Sequence, residues 1–292
     1  MRFGIVILPE YRWSEAAPRW RGAEEFGFDH AWTYDHLAWR SLADGPWFGT
    51  VATLTAAATV TSRIRLGTLV ASPNFRHPVA FARELMALDD VSGGRFTLGV
   101  GAGGTGHDAT VLGGEVLPPA RRMARLTEFV ELLDRLLTTD HVDHAGEFFT
   151  AADARTVPGC AQRPRLPFVI AANGPRAMRL AARWGAGWVT TGPATDDLDA
   201  WWRGVAEMSA GMDKALADEG RDPVELDRLL SLDSAPVFSL SSVDTFVDAV
   251  GRAAELGFTD VVTHWPRSGG EYYVGEESVL ETVAADVLPT LR

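Results

Sequence analysis

The sequence is poor in cysteine, in lysine and in long apolar runs. Cys160 is the only cysteine among 292 residues, which excludes an internal disulfide and predicts an inert thiol in a reducing cytoplasm. Lys214 is the only lysine and falls in a predicted surface helix, so we set aside mechanisms that need a lysine nucleophile. No apolar run reaches the ~18 residues of a membrane span, and the opening MRFGIVILPEYR turns polar too early for a signal peptide.

The chain also has little positive charge. Its net charge of −12 repels phosphate backbones, so we predict no nucleic-acid partner, and nothing in the sequence predicts a membrane partner. Hydrophobic residues make up 46% of the chain, which allows a large core within the size range of one barrel domain. Because no linker-like stretch divides the sequence, we predict a single domain over residues 1–292.

A short sequence pattern recurs along the chain and indicates a parallel sheet. Residues 24–32 read EEFGFDHAW, residues 254–262 read AELGFTDVV, and residues 182–189 give a shorter version, ARWGAGWV. Each begins as the end of a helix, has a glycine suited to a left-handed C-terminal position, and continues into a β-branched or aromatic strand. This pattern is typical of the joint between a helix and the next strand of an alternating α/β fold.

Strand-like segments are eight in number, and helical patterns lie between them. They cover residues 2–8, 29–34, 64–71, 95–101, 167–172, 187–191, 229–238 and 259–264. One buried helix stripe steps by three and four residues along Met123, Leu126, Val130, Leu133 and Leu137. Eight alternating units predict a (β/α)8 barrel, with a doubly wound open sheet as the alternative. Two insertions, residues 102–119 after strand 4 and residues 140–166 before strand 5, have the length of functional loops.

A barrel of this type places its active site at the C-terminal ends of its strands. Strand 2 ends in Asp35 and His36, and an imidazole is a natural proton carrier near neutral pH. Asp35 could orient His36 or accept a hydrogen bond from a ligand; the alternative is a turn cap beside a packing histidine. Strand 3 ends in ASPNFRHP, which indicates either a backbone that changes direction for a ligand or an ordinary loop with prolines.

Glycines follow strand 4, and a candidate anion site follows strand 5. Residues 99–106, GVGAGGTG, would let a flat ligand or a phosphate approach the main chain, but no helix follows at once, so they are a weak dinucleotide fingerprint. After strand 5, Asn173 and Gly174 precede a helix predicted to begin at Pro175, with Arg176 beside it. This helix start predicts a phosphate site; the alternative is a well-capped helix with a surface arginine.

The seven histidines do not predict a metal site, because none forms an HxH or HExxH motif. His36 and His264 could both lie at the strand ends, but a metal usually needs three or four protein ligands. We therefore predict that no metal is bound.

Five motifs occur in a fixed order along the chain: YDH after strand 2, LGTLVASPNFRHP at strand 3, the glycines after strand 4, AANGP at strand 5, and the ending EYYVGEESVLETVAADVLPTLR. Together they resemble the luciferase-like flavin-dependent oxidoreductases over essentially the whole chain. The resemblance is closest to the branch that uses the deazaflavin coenzyme F420, which includes glucose-6-phosphate and secondary-alcohol dehydrogenases. By analogy with this family, we also expect a homodimer.

The resemblance implies roles for individual residues. The peptide bond between Leu69 and Val70 would be cis and would back the flavin ring. Asp35 and His36 would lie near the pyrimidine side and the reactive carbon, the glycine-rich end of strand 4 would line the ring or the ribityl chain, and the turn after strand 5 would hold the phosphate. The implied cofactor residues are Asp35, Leu69, Val70, Gly101, Ala102, Gly103, Asn173, Gly174, Pro175 and Arg176.

The first hypothesis is therefore an F420-dependent oxidoreductase in which His36 carries the proton and Asp35 positions it or a ring carbonyl. Loops 37–48 and 102–119 would cover a small, apolar substrate. The apolar face of this lid, or else ordinary core under a loop, is formed by Trp39, Trp47 and Phe48. Sugar-phosphate dehydrogenases of the branch have a glutamate after the strand 4 glycines and lysines for the sugar phosphate. This chain matches neither feature, so glucose 6-phosphate is not the expected substrate.

Two other hypotheses stay open. An FMN-dependent monooxygenase would differ in the reaction of the ring with molecular oxygen, which no residue of the sequence decides. A hypothesis of a different class is a flavin-binding protein without turnover, or a metal-dependent hydrolase on the same barrel. Titration with F420 and FMN side by side separates the first two hypotheses, and the effect of chelators tests the hydrolase.

Overall fold

The computed structural model describes residues 1–291 and has the predicted architecture. The ten strands are β1 (Arg2–Val6), β2 (His30–Thr33), β3 (Arg65–Thr68), β4 (Phe96–Val100), β5 (Val142–Ala145), β6 (Thr150–Ala154), β7 (Phe168–Ala171), β8 (Gly187–Thr190), β9 (Asp227–Ser231) and β10 (Asp260–His264). Eight of them close into a barrel in the order β1-β10-β9-β8-β7-β4-β3-β2, and the strand pairs given a register are parallel. The (β/α)8 prediction is confirmed, and the open sheet is excluded because the strands form a closed ring.

The helices alternate with the barrel strands, as the recurring pattern of helix end, glycine and strand predicts. They are α1 (Trp13–Glu25), α2 (Thr50–Val60), α3 (Pro78–Val91), α4 (Pro119–Thr138), α5 (Pro175–Trp184), α6 (Leu198–Asp218), α7 (Val243–Glu255) and α8 (Glu277–Thr282). The insertion before the fifth barrel strand contains an antiparallel hairpin of β5 and β6. Within residues 1–291, no helix is both long enough and apolar enough to cross a bilayer.

Contacts within the chain define two compact units. The first contains residues 1–8, residues 18–32 and the chain from Val169 onward; the second contains residues 9–17 and 33–168. The single domain expected over residues 1–292 stays a prediction.

The first unit has a polar cluster around the buried side chains of His30 and Asp260. The Trp32 indole donates to Nδ1 of His30 at 2.6 Å, so Nε2 of this imidazole carries the hydrogen and donates to Asp260 at 3.0 Å. Asp260 also accepts from Arg2 at 2.7 Å and from Thr259 at 2.6 Å. Burial alone would raise the pKa of Asp260, but the hydrogen bonds from His30, Arg2 and Thr259 hold it below its ordinary value.

Two of the three predicted left-handed glycines are confirmed. Gly27 and Gly257 have φ of 83° and 80°. The prediction for Gly185 is wrong, because its φ is −80°. A Cβ there would lie only 2.7 Å from the carbonyl oxygens of Ala181 and Gly187, so close backbone approach requires this glycine.

The strand predicted at 229–238 is wrong in its second half. β9 ends at Ser231, and residues 232–234 form a short helical turn. The carboxylate of Asp233 in this turn accepts the backbone N–H of Ser239 at 2.8 Å. This contact requires the chain to bend back, so an extended strand cannot continue.

In the second unit, α4 packs against the core, and the hairpin of β5 and β6 is hydrogen-bonded to this helix. The predicted stripe on α4 is buried at Leu126, Val130, Leu133 and Leu137, whereas Met123 is half-buried. On another side of the helix, the Glu128 carboxylate accepts backbone N–H groups of the hairpin tip and a hydrogen bond with His144 at 3.1 Å. The tip donors are the N–H groups of Glu147, Phe148 and Phe149, at 2.8–3.2 Å.

Candidate active site

The most distinctive group at the strand ends of the second unit is a histidine–aspartate pair. His36 follows β2, and its Nδ1 is hydrogen-bonded to Asp108, in the short turn at residues 107–109 after β4. The other oxygen of this buried carboxylate accepts the backbone N–H of Leu37 at 2.7 Å. The His36 side chain is 24% exposed. Because Asp108 fixes Nδ1, the nitrogen that can meet a substrate is Nε2.

Asp35 pairs with an arginine. Arg76 donates to the two Asp35 oxygens at 2.7 and 3.1 Å and to Glu84 at 2.8 Å. Asp35 is only 1% exposed, so its charge is compensated inside the protein. Burial lowers the pKa of Arg76, but the hydrogen bonds and charges of Asp35 and Glu84 outweigh burial and raise it above its ordinary value. The carboxylate that orients His36 is thus Asp108, and Asp35 holds the end of β2 in place.

The segment after β3 combines an apolar surface with a buried hydroxyl. The peptide bond between Leu69 and Val70 is cis, as the resemblance implies. Both side chains are half-buried, whereas Ala71 and Ser72 are buried. The Ser72 hydroxyl, in a residue only 2% exposed, has no hydrogen-bond partner among the described residues. A buried hydroxyl without a partner costs free energy unless a ligand satisfies it.

The glycine-rich segment after β4 lies against this β3 loop. Gly101 donates its N–H to the carbonyl of Ala71 at 2.9 Å. Gly103 has φ of +76°, and a Cβ there would lie 2.6 Å from Nδ2 of Asn74. The Asn74 amide donates to the carbonyl of Gly104 at 3.1 Å. Glycine at 103 is therefore required by conformation and by space, and Ala102 beside it is half-buried.

The three predicted lid residues have different environments. Trp39 packs edge-on against Tyr34 at 5.1 Å between ring centroids. The Trp47 indole donates to the carbonyl of His36 at 2.8 Å, and Phe48 is 41% exposed. Trp47 is thus a second anchor for the His36 segment, while Phe48 offers an apolar surface.

The turn predicted to hold phosphate lies in the first unit. α5 begins at Pro175 with Gly174 as its N-cap, as predicted, and Arg176 is exposed. The Asn173 side chain is engaged with the chain itself, because its oxygen accepts from Thr190 and its amide donates to Thr191, both at 2.8 Å. The groups that can bind an anion here are the backbone N–H groups of the first helical turn and Arg176.

A second histidine–aspartate pair lies at the end of β10 in the first unit. Nδ1 of His264 is 2.8 Å from Asp233, whose same oxygen accepts the backbone N–H of His264 at 2.6 Å. The Tyr273 ring stacks on this imidazole with 3.6 Å between centroids and 10° between planes. Both members of the pair are buried.

Sequence reasoning missed several of these contacts. Asp108 and Arg76 lie 72 and 41 residues from the side chains they hold, and Asp233 falls in the segment predicted as strand. Asp108 occurs in the sequence pair HD at the end of the glycine loop, and Arg76 occurs in RHP after strand 3. Their spacing in the sequence does not reveal which side chains they bind. In residues 1–291, no three histidine, cysteine, aspartate or glutamate side chains are grouped as a metal would require.

Comparison with known proteins adds to this geometry. The family model described as Luciferase-like monooxygenase matches residues 1–236. An F420-dependent glucose-6-phosphate dehydrogenase of Beutenbergia cavernae is 31% identical over an alignment of 325 residues, covering 92% of this chain and 91% of the relative. The 4-hydroxyprotoasukamycin monooxygenase of Streptomyces nodosus subsp. asukaensis is 31% identical over 289 residues, covering 93% of this chain and 70% of that protein.

A solved structure is similar over the full length. The coenzyme F420-dependent tetrahydromethanopterin reductase of Methanopyrus kandleri superposes with a TM-score of 0.78 at 20% identity, covering 100% of this chain and 99% of that one. At this identity the likeness shows the fold.

Proposed function

Because this chain belongs to the luciferase-like monooxygenase family, we propose that it is an oxidoreductase that transfers a hydride between coenzyme F420 and a small organic substrate. The observation that carries the proposal is the imidazole of His36, held by buried Asp108 at the C-terminal end of β2. Relatives named as F420-dependent favour this cofactor.

The residues after β3 fit a flavin-type ring. Such a ring has an apolar body and a pyrimidine edge with N–H and carbonyl groups. Leu69 and Val70 present half-exposed apolar side chains, and the buried hydroxyl of Ser72 lacks a partner among the described residues. We assign these three residues to the ring, together with the backbone at Gly101, Ala102 and Gly103. Asp35, held by Arg76, is assigned to the pyrimidine side.

When bound, coenzyme F420 supplies two-electron hydride transfer. With an alcohol as substrate, Nε2 of His36 would accept the O–H proton as the alcohol is oxidised to a carbonyl compound. In the reverse direction, His36 returns the proton to the carbonyl oxygen. Asp108 holds the imidazole with Nε2 toward the substrate and stabilises the protonated ring, and the carbonyl bond to Trp47 fixes the same segment.

A further part of the proposal concerns the first unit. We assign the turn of Asn173, Gly174, Pro175 and Arg176 to a phosphate group, with the backbone N–H groups of α5 and Arg176 as donors. Asn173 contributes by shaping the turn, because its side chain bonds to Thr190 and Thr191.

The substrate is proposed to be small and apolar, covered in part by the aromatic lid of Trp39, Trp47 and Phe48. A sugar phosphate, which the name of the Beutenbergia cavernae relative indicates for that protein, does not suit this chain. Its only lysine, Lys214, lies exposed on α6, where it pairs with Asp218 at 2.9 Å. A homodimer in the cytoplasm stays a prediction.

A second candidate function is an FMN-dependent monooxygenase, which the family description and the relative from Streptomyces nodosus subsp. asukaensis favour. The same protein residues would bind FMN, so the difference lies in the reactivity of the ring with oxygen.

The deciding experiment titrates the purified protein with F420 and with FMN, followed by cofactor fluorescence. We expect F420 to bind at least about tenfold more tightly and reduced FMN to cause no oxygen uptake. Tighter FMN binding with oxygen uptake would establish the monooxygenase instead. A panel of alcohols and ketones is then assayed through the absorbance change of F420.

Two histidine variants test the role of the imidazole. His36→Ala should retain F420 affinity within about threefold and lose at least about a hundredfold in turnover. The control is His107→Ala, an exposed histidine beside Asp108, which should keep both. Unchanged affinity and turnover in His36→Ala would reject the proposed proton carrier, and binding with no turnover on any substrate would favour a binding protein.

A further inference from the structure

Two arginines near the start of α4 in the second unit have no acidic partner. Arg122 and Arg125 lie one turn apart, both half-buried, and no carboxylate of the described residues is within ion-pair distance of either. The neighbouring Arg121 is paired with Glu147, and in the same unit Arg165 is paired with Asp134 at 2.7 Å.

The environment of Arg125 indicates an incomplete site. Its Nη2 donates to the side-chain oxygen of Asn74 at 2.5 Å, a neutral acceptor. Its Nε is buried and has no hydrogen-bond partner in the described chain. Burial, and then the like charge of Arg122, lower the pKa of Arg125. A guanidinium that is desolvated, repelled by its neighbour and incompletely hydrogen-bonded is stabilised when an anion arrives.

The position of the pair suits a ligand of the active site. Asn74 belongs to the loop after β3 and also holds the carbonyl of Gly104, in the loop after β4, at 3.1 Å. Arg125 is therefore tied to the two strand-end loops that carry Ser72 and Asp108. α4 begins at Pro119, so Arg122 lies at the end of the first turn, where the helix dipole favours a negative charge, and Arg125 lies one turn further along.

We propose that Arg122 and Arg125 bind an oxyanion, a carboxylate or phosphate group of a small-molecule ligand. The planar guanidinium offers two parallel N–H donors to such a group. This site does not depend on the proposed cofactor, because its evidence lies in the unpaired arginines themselves. If the oxyanion belongs to the substrate, the substrate is an organic acid or a phosphate ester rather than a wholly apolar molecule.

The test is calorimetric titration of the cofactor-free protein with inorganic phosphate and, separately, with succinate, at constant ionic strength because salt screens charges. We expect measurable binding of at least one probe. Arg125→Gln should weaken this binding at least about tenfold, since a charge-assisted hydrogen bond is lost. The matched control is Arg121→Gln, which removes a neighbouring charge that is already paired and should change the affinity by less than about twofold.

Equal losses in Arg121→Gln and Arg125→Gln would overturn the proposal, because they would indicate general attraction of anions. Absence of binding for both probes would overturn it as well. Circular dichroism checks that each variant is folded. Arg125→Lys is a second variant that keeps the positive charge but lacks the two parallel N–H donors of the guanidinium. Its affinity should fall between those of the wild type and Arg125→Gln; equality with the wild type would contradict bidentate binding.

The source of the oxyanion is identified by titrating F420 into the wild type and Arg125→Gln, with and without phosphate. Competition by phosphate and weaker F420 binding in the variant would assign the site to the anionic tail of the cofactor. Unchanged F420 binding with loss of phosphate binding would assign it to the substrate. If no form binds F420, the proposed function fails, while the phosphate result on this site still stands.

Discussion

Replacing Arg76 with methionine leaves the buried Asp35 carboxylate without its cation. Two hydrogen bonds, at 2.7 and 3.1 Å, are lost from a carboxylate that is 1% exposed. Removal of one partner from a buried ion pair typically costs about 3–5 kcal/mol, because the remaining charge is desolvated and uncompensated. We therefore expect Arg76→Met to lower the free energy of unfolding by this amount at pH 7, measured by urea denaturation.

The same guanidinium provides an internal control. Its other partner, Glu84, has a side chain that is 40% exposed, so Glu84→Gln should cost no more than about 1 kcal/mol. Combining Asp35→Asn with Arg76→Met also removes the uncompensated charge of the Asp35 carboxylate. The double variant should therefore have a free energy of unfolding at least about 1 kcal/mol higher than that of Arg76→Met alone. A loss below about 1 kcal/mol in Arg76→Met, or a double variant no more stable than the single one, would refute this account of the end of β2.

Three further predictions concern other contacts. The pKa of Asp260 is lowered in the folded protein, so its contribution to stability is present above the unfolded value of about 3.9 and is lost as the pH falls through the lower folded value. Asp260→Asn should cost about 2 kcal/mol or more at pH 7 and flatten the acid limb of the stability profile measured by urea denaturation; an unchanged limb would contradict the assignment. Ser72→Ala should leave urea stability unchanged or slightly raised, because it removes a buried unpaired hydroxyl, and should weaken F420 binding about tenfold; unaltered affinity would remove Ser72 from the ring site. Asp108→Asn should lower turnover at least about tenfold with F420 affinity within twofold, and its effect should not add to that of His36→Ala; additive losses would mean that the two side chains act separately.

The parallel strands could be predicted because their signal is local. Each occurrence of the pattern, a helix end followed by a glycine and a buried strand, occupies only a short stretch of sequence. Gly27 and Gly257 adopt the expected left-handed conformation. Gly185 does not, since glycine also serves where two backbone segments approach closely, and the sequence does not distinguish these uses. The strand predicted beyond residue 231 does not form, because Asp233 bends the chain back by accepting the backbone N–H of Ser239. The apolar residues Val237 and Phe238 after the bend favour a strand in the sequence, and the contact that prevents it is not visible there.

The site could be predicted only in part, for a related reason. His36 and the glycine loop are identified by their place at strand ends, which the fold fixes. The partners of the charged groups follow from packing: Asp108 reaches His36 across 72 residues of chain, and Arg76 reaches Asp35 across 41. The unpaired state of Arg122 and Arg125 is likewise invisible in a sequence rich in acidic residues, any of which could have been their partner.

The tip of the hairpin is fastened through its main chain. Glu128 accepts the amide hydrogens of residues 147–149, and a Cβ at Gly146 would collide with its carboxylate at 1.9 Å. Hydrogen bonds to main-chain N–H groups do not depend on the side chain, so the exposed position 147 can vary with these bonds kept, whereas Phe149 is buried and its ring packs against Phe129 at 5.7 Å between centroids. Glycine at 146, the acid on the neighbouring helix and the buried ring at 149 are the positions that such variation must leave unchanged, and a hairpin transplanted to another barrel would need all three.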